Sequence, residues 1–420
     1  MNPQDFDESR RRLIKLFGQT AAAGALLGSG LPVFGSAKPA TAAINTTGLA
    51  VTDTTVKVGI LHSITGTMSI SETGSVEAEK LAIDQINAGG GILGRKIEFI
   101  QEDGASDWPT FAEKAKKLLV QDKVASVFGC WTSASRKAVL PVFEQYNGML
   151  YYPTFYEGLE QSKNVIYTGQ EATQQILAGL DWVIKEKGAK TFYLLGSDYI
   201  WPRTSNKIAR KHIVDHRGLQ VVGEDYFPLG STQFNSVINK IKLKKPDVIY
   251  AIIVGGSNVA FYKQLKAAGI DMTKGQTLMT ISVTEDEIHG IGGENIVGAY
   301  ACMKYFQSLD NPNNKAFVPA FKKMWGDDAV IGDVTQAAYL GPWLWKLTAE
   351  KAGSFDIDKI AAASPGVEFK GAPEGYVRIH ENHHLWSKTR VGRARADGQY
   401  DLIYETADLV EPNPFPKGYQ

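Results

Sequence analysis

From Val56 onward, short apolar segments alternate with segments whose apolar residues recur at helical spacing. This order of strand, helix and strand places the chain in the α/β class, because it predicts a parallel sheet that helices cover on both faces. In the first run, we predict strands at 57–61, 96–102, 124–128 and 149–152 and helices at 76–87, 111–121 and 135–146.

The same alternation restarts near residue 191 and therefore predicts a second α/β lobe. Strands are predicted at 191–196, 220–226, 247–254 and 277–281, and helices at 205–216, 234–243, 258–268, 316–325 and 334–351. The C-terminal part changes character. Segments 376–380, 389–394 and 400–404 are predicted as antiparallel strands, with Asp397 and Gly398 forming a turn.

The first 42 residues have the features of an export signal. Ser9-Arg10-Arg11-Arg12-Leu13-Ile14-Lys15 precedes a weakly apolar run over 16–31, and Ala40-Thr41-Ala42 is a small-x-small cleavage site. We predict a twin-arginine signal peptide over residues 1–42 and a mature protein that works in the periplasm. The alternative is a disordered basic tail.

Charge and cysteine content exclude several functional classes. The 45 Lys and Arg residues balance 45 Asp and Glu residues, so no basic surface for nucleic acid is indicated. The two cysteines, Cys130 and Cys302, are too few for a disulfide framework. A single bridge between them is an alternative to two buried thiols.

The candidate site follows from the rule that ligands of doubly wound sheets bind at the carboxyl ends of the strands. The residues that we single out there are Ser63, Trp131, Thr132, Ser133, Tyr152, Thr154, Tyr199 and Glu285. They supply hydroxyl groups and aromatic rings but few charges. This composition suits a small neutral polar molecule that is held by hydrogen bonds between aromatic faces. The alternative for Trp131 and Tyr152 is a place in the core.

Catalytic, nucleotide-binding and metal-binding patterns are weak. The chain has no Gly-x-Ser-x-Gly motif, and only His62 and His289 lie near the predicted strand ends. The glycine-rich segment 89–94 follows a helix instead of a strand, which fails the dinucleotide pattern. The histidine cluster at 380–384 falls at a predicted turn, where a solvated loop is favoured over a metal site. We therefore predict no enzyme activity, cofactor or metal.

Several motifs together resemble one family of receptors. The segment 58–66, followed by a helix and Gly-Gly-Ile-Leu-Gly-Arg, resembles the opening of branched-chain amino-acid and amide-binding periplasmic receptors. The segments 129–133, 152–158 and 196–203 look like the urea and short-chain amide branch of that family. The segments 374–384 and 389–392 are similar to the tail of urea receptors of ABC transporters.

The resemblance implies a type I periplasmic-binding protein fold, with two doubly wound α/β lobes joined by a three-crossover hinge. Lobe 1 would comprise residues 54–169 and 300–365, and lobe 2 residues 170–299 and 366–420. It also implies ligand contacts at Trp131, Ser133, Tyr152, Thr154 and Tyr199. Amide-sensing relatives tend to have Tyr where Trp131 stands, so the size of the ligand is open.

The function that the resemblance implies is an exported receptor for urea. It would deliver urea to the membrane permease and ATPase subunits of an ABC importer. The alternatives are a receptor for short-chain amides or a small amino acid, and an amide sensor without a transport role. In every case the ligand would be held and not transformed.

Overall fold

The structure is a computed structural model that describes residues 48–419. The predicted signal peptide at residues 1–42 lies outside the described residues. Within residues 48–419, no helix combines the length and the apolar character that crossing a membrane requires.

A five-stranded parallel sheet forms the core of the first lobe. Its strands are β1 (Thr55–His62), β2 (Lys96–Asp103), β3 (Val127–Gly129), β4 (Leu150–Tyr152) and β5 (Val165–Tyr167), in the order β2-β1-β3-β4-β5. The helices α1 (Ser69–Ala88), α2 (Trp108–Lys116) and α3 (Ser133–Gln145) follow β1, β2 and β3. Both α1 and α2 pack against β1, which explains why its apolar residues are fully buried.

The second region alternates in the same way. Its helices are α4 (Ala178–Lys187), α5 (Ile200–Lys211), α6 (Asn235–Lys244), α7 (Ser257–Ala267), α8 (Glu285–Ile291) and α9 (Gly293–Ile296). Its strands are β6 (Thr191–Ser197), β7 (Gln220–Phe227), β8 (Val248–Ile252), β9 (Thr277–Thr280) and β10 (Tyr300–Met303). The neighbouring strands among these five run parallel, so the predicted α/β architecture is confirmed.

The C-terminal part returns to the first lobe and then re-enters the second. It contains α10 (Pro312–Trp325), α11 (Asp333–Ala352), α12 (Ile357–Ala363), β11 (Glu368–Phe369), β12 (Val377–Ile379), β13 (Leu385–Trp386), β14 (Arg390–Ala394) and β15 (Tyr400–Glu405). The helix α11 packs on α1, β3 and β4 of the first lobe. The second sheet has the order β15-β14-β10-β9-β8-β6-β7.

Two details differ from the predicted elements. The predicted strand at 376–380 does not join β14 and β15; it pairs instead with β11 and β13 in a separate sheet. The physical reason is that β10 and β15 already occupy both edges of β14. The predicted hairpin between β14 and β15 is confirmed, and Gly398 adopts the positive φ of 85° that its turn requires.

The chain passes between the two sheets after β5, after β10 and before β14. The strand β10 falls inside the range 300–365 that was assigned to lobe 1, yet it lies in the second sheet beside β9. Within the range 366–420, β14 and β15 also join the second sheet, whereas β11 packs on α11 of the first lobe.

One buried side chain ties the three crossovers together. The Lys304 amine donates to the backbone oxygen of Thr168 at 2.7 Å and forms an ion pair with Glu374 at 2.6 Å. Thr168 follows β5, Lys304 follows β10, and Glu374 precedes β14. Because both charges are buried, we expect this contact to persist while the lobes move about it.

Candidate ligand-binding site

The carboxyl ends of the two sheets face one cleft between the lobes. The segment after β3 places Trp131 with its ring centroid 6.5 Å from that of Trp201, which follows β6. The backbone N–H of Gly256, after β8, donates to the backbone oxygen of Thr67, after β1, at 3.4 Å. The two lobes therefore contact each other at two points beside the cleft.

A sharp backbone turn directs Trp131 into this cleft. Gly129 has a φ of 153°, and a Cβ atom there would lie 2.1 Å from the backbone oxygen of Leu61. Cys130 follows with a φ of 62°, and its N–H donates to the same oxygen at 2.8 Å. Only glycine fits the first position, and a positive φ at the second is a strain that commonly marks binding sites.

One of the two cysteines, Cys130, lies in this turn. Cys130 is a buried free thiol, and burial raises its pKa, so it is neutral and unreactive. Cys302 is likewise free and buried on β10. The disulfide that the sequence left open does not form between them.

Four aromatic side chains form the walls of the cleft. Phe155 lies 5.9 Å from Trp131 and 5.3 Å from Trp201 between ring centroids, and Tyr199 lies 6.5 Å from Trp201. The first two rings come from the first lobe and the last two from the second. We call this group the aromatic cluster.

The aromatic cluster carries polar atoms that lack partners. Among the described residues, no group forms a hydrogen bond with the indole N–H of Trp131, the indole N–H of Trp201, the hydroxyl of Tyr199 or the hydroxyl of Thr154. All four atoms are buried. A buried polar group without a partner costs about 1–3 kcal/mol, so several together indicate a place where a bound molecule supplies the missing bonds.

A carboxylate that the sequence analysis did not select also lies here. Glu72, in the first turn of α1, is fully buried. Its Oε2 accepts the backbone N–H of Ser63 at 2.6 Å, while its Oε1 has no hydrogen-bond partner among residues 48–419. Ser63 directly follows β1, so this bond places Glu72 at the carboxyl end of the first sheet, where the predicted site lies.

Three of the predicted residues support the turn with their polar groups. The Tyr152 hydroxyl donates to the backbone oxygen of Trp131 at 2.8 Å. The Thr132 hydroxyl oxygen accepts the N–H of Ser135 at 3.0 Å and caps α3. The Ser133 hydroxyl donates to Glu157 at 2.6 Å. These contacts fix the position of Trp131.

The buried side chain of Arg136 contacts the residues that support Trp131. The Nε of Arg136 donates to Glu160 at 2.7 Å, and its guanidinium lies 4.8 Å from the ring centroid of Tyr152 and 4.3 Å from that of Tyr156. A second ion pair joins Arg136 to Glu157 at 3.3 Å. Burial alone would raise the pKa of Glu160, but Arg136 and Lys137 lower it to about 2. The guanidinium is thus fully engaged by protein groups.

The two remaining predicted residues have other partners. The Ser63 hydroxyl oxygen accepts the N–H of Ser106 at 3.0 Å, so Ser63 acts on the cleft through its backbone bond to Glu72. Glu285 lies at the start of α8, where its Oε1 accepts the N–H of Gln307 in the second crossover at 2.8 Å. Burial raises the pKa of Glu285 well above its usual range. Glu285 Oε2 has no hydrogen-bond partner among the described residues, so the predicted residues that keep a free polar atom are Trp131, Thr154, Tyr199 and Glu285.

Comparisons with known proteins agree on the family and on the fold. A family model described as a periplasmic binding protein domain matches residues 56–420. Leu/Ile/Val-binding protein homolog 6 of Brucella melitensis is 24% identical over 337 residues, which cover 79% of this chain and 85% of that protein. An R. palustris solute binding protein of an ABC transporter, solved in complex with 4-hydroxybenzoate, has a TM-score of 0.77 at 24% identity, over 87% of this chain and 100% of that one.

One partial match has a different name. Limonene hydroxylase of Geobacillus stearothermophilus is 35% identical over 124 residues. The match covers 30% of this chain and only 23% of the length of that protein. It therefore says nothing about the activity of the whole chain.

Proposed function

The chain belongs to the periplasmic binding protein family, and we propose that it binds urea in the cleft and delivers it to the permease and ATPase subunits of an ABC importer. The family match and the two-sheet fold support the role of a solute receptor. The sequence of residues 1–42 supports twin-arginine export to the periplasm as the route to that role.

The choice of urea as the ligand rests on the carboxylate oxygen of Glu72 that has no hydrogen-bond partner among the described residues. Urea has one carbonyl acceptor and four N–H donors. Glu72 Oε1 can accept from one amide group, and the Tyr199 hydroxyl can accept from the other. The indole N–H groups of Trp131 and Trp201 and the Thr154 hydroxyl are donors for the carbonyl. A flat neutral diamide therefore offers donors and an acceptor to several of the buried polar atoms that lack protein partners.

The buried carboxylate of Glu72 also argues against anionic ligands. The solved relative from R. palustris holds 4-hydroxybenzoate, which carries a carboxylate. Here a ligand carboxylate would approach the buried carboxylate of Glu72, and the nearby guanidinium of Arg136 is already paired with Glu157 and Glu160. Two like charges in a water-poor site repel strongly. A neutral ligand avoids this cost.

Short-chain amides are the second candidate. Acetamide has the carbonyl and one amide group of urea, but a methyl group replaces the second amide. One acceptor in the cleft would then stay without a partner, at a cost of about 1–3 kcal/mol. We therefore expect acetamide to bind more weakly than urea.

Ligand capture requires no chemical step. The lobes would open about the crossovers, admit the ligand, and close so that the aromatic cluster covers both of its faces and excludes water. The closed form would then dock on the permease. The residues of the cleft act by holding the ligand, and neither a nucleophile nor a metal is needed for this role.

The test is calorimetric titration of the mature protein with urea, acetamide, leucine and 4-hydroxybenzoate at neutral pH. We expect saturable binding of urea, weaker binding of acetamide, and no binding of the two carboxylates. Tight binding of leucine or 4-hydroxybenzoate with urea silent would contradict the proposal. An ammonia assay in the presence of urea distinguishes a receptor from a hydrolase, which would release ammonia.

A further inference from the structure

A histidine lies buried between two carboxylates directly behind the cleft. His62, the last residue of β1, has no solvent exposure. Its Nε2 lies 2.9 Å from Glu79 Oε1, and its Nδ1 lies 3.4 Å from Glu72 Oε2. Glu72 and Glu79 are seven residues apart on α1, so two helical turns place both on the face that covers β1.

Few other charged or titratable groups act on this trio. From β2, Asp103 pairs in register with His62, but its oxygens accept bonds from Ile64, Thr65 and Ala105. From β3, the buried Cys130 thiol is neutral. From α1, Lys80 lies beside Glu79 and is partly buried. Lys80 offsets part of the charge of Glu79, and the imidazole contacts both acids.

The charge of the imidazole follows from this arrangement. Burial by itself would lower the pKa of His62, but Glu79 and Glu72 raise it to about 9. At neutral pH the ring is an imidazolium that contacts one oxygen of Glu79 and one oxygen of Glu72. The charged form is present below the ordinary pKa of histidine near 6.5 and is lost only as the pH rises through about 9.

We propose that His62 is a positioning residue for ligand binding, which holds Glu72 by an ion pair so that its second carboxylate oxygen stays available to the ligand. This inference rests on the proposed function, because Glu72 Oε1 is the proposed acceptor for an amide group of the ligand. When His62 loses its proton, Glu72 loses the cation that it contacts. The carboxylate is then no longer held in one orientation, which weakens the acceptor.

The inference predicts that ligand affinity follows the titration of His62. In the ligand-free protein, the proton resonance at Cε1 of His62 reports its pKa by NMR. In parallel, calorimetry gives the urea dissociation constant from pH 6 to pH 10. We expect His62 to titrate near pH 9 and the affinity for urea to be constant up to about pH 8 and to fall by about tenfold per pH unit above pH 9.

Glu79→Gln is the decisive variant, since Glu79 contacts His62 but has no place in the proposed ligand contacts. We expect the NMR midpoint of His62 and the midpoint of the affinity profile to fall together, by at least about one pH unit. His62→Gln should lower affinity at pH 7 by about tenfold or more and abolish the pH dependence. His289→Gln, at an exposed histidine of α8, is the control and should change neither profile.

The outcomes separate this inference from the proposed function. If Glu79→Gln moves the titration of His62 while the urea profile stays in place, the positioning role is overturned and the urea site stands. If His62 titrates near 6.5 in the native protein, the role is overturned as well. If urea fails to bind at every pH, both the proposed function and the positioning role of His62 are overturned, whatever the measured pKa of His62. Should His62→Gln fail to fold, Glu79→Gln alone decides the question.

Discussion

The two walls of the cleft differ in how their buried polar groups are paired. On the first lobe, buried charges are paired with each other: Arg136 with Glu157 and Glu160, and His62 with Glu72 and Glu79. On the second lobe, the aromatic side chains of the cleft are neutral, and the polar atoms of Tyr199 and Trp201 have no partner among the described residues.

This difference suggests a division of roles between the lobes. Buried charges that hold one another keep the first wall in one geometry before a ligand arrives, because separating any of them leaves an uncompensated charge. The second wall gains its hydrogen bonds only when a ligand is present. We therefore expect substitutions in the first wall to change folding stability, and substitutions in the second wall to change binding alone.

The largest effect should come from breaking the charge cluster of the first wall. Arg136→Met leaves Glu157 buried without its cation and leaves Glu160 with Lys137 alone, which should lower the free energy of unfolding by about 3–5 kcal/mol. Denaturant unfolding followed by tryptophan fluorescence measures this change. Arg210→Met, which removes an exposed arginine paired with Glu224, is the control and should have little effect. Equal effects of the two variants would show that the first wall is not held by its charges.

The next effect concerns the carboxylate of the first wall. Glu72→Gln keeps the size of the side chain but replaces a charged acceptor, and hydrogen bonds to charged groups contribute about 1.5–3 kcal/mol. Urea affinity should therefore fall by roughly 10–100-fold in calorimetry. Glu98→Gln, at an exposed position of β2, should bind urea like the native protein. Unchanged affinity in Glu72→Gln would remove Glu72 from the site.

A smaller effect on binding is expected at the aromatic contact between the walls. Trp131→Ala removes a ring that packs on Phe155 and Trp201 and also removes an unpartnered N–H donor. Urea affinity should fall by about tenfold, with a loss of stability from the cavity that is left. Trp343→Ala removes a ring on the outer side of the first lobe that stacks on Phe369. It should cost stability without changing urea affinity, and a matching loss of affinity would mean that Trp131 acts only through folding.

The smallest change tests the second wall most directly. Tyr199→Phe removes one hydroxyl that has no partner among residues 48–419, so the ligand-free protein should keep or slightly increase its thermal midpoint. Urea affinity should fall by about threefold to tenfold, because one acceptor is lost. Tyr193→Phe removes a hydroxyl that donates to Asp225 on the same lobe and should leave binding unchanged. A clear loss of stability in Tyr199→Phe would erase the proposed difference between the walls.

Much of the fold could be predicted from the sequence. The alternation of apolar strands and amphipathic helices predicted two α/β lobes with parallel sheets, and the structure confirms them. The turn signal at Asp397 and Gly398 predicted the hairpin of β14 and β15. These features depend on local periodicity and on backbone conformation, which neighbouring residues largely determine.

The acceptor at Glu72 was missed for a definable reason. The predicted helix began at residue 76, so the first turn of α1 lay outside it and Glu72 was not considered. A usable signal was present, because Glu72 and Glu79 lie two helical turns apart, on the face that carries buried Val76 and Ile83. Buried acids on an apolar helical face need partners, and His62 was the nearest candidate.

The sequence by itself determined which segments become strands and helices, and that hydroxyl-bearing and aromatic residues stand at the strand ends. Only the tertiary structure decided which of their polar atoms remain free. The hydroxyls of Tyr152 and Ser133 bond to Trp131 and Glu157, whereas Glu72, Glu285 and Tyr199 each keep one polar atom without a protein partner among the described residues. The physical reason is that periodicity fixes the direction of a side chain locally, while a hydrogen bond depends on groups that are distant in sequence and meet only when the sheets are assembled.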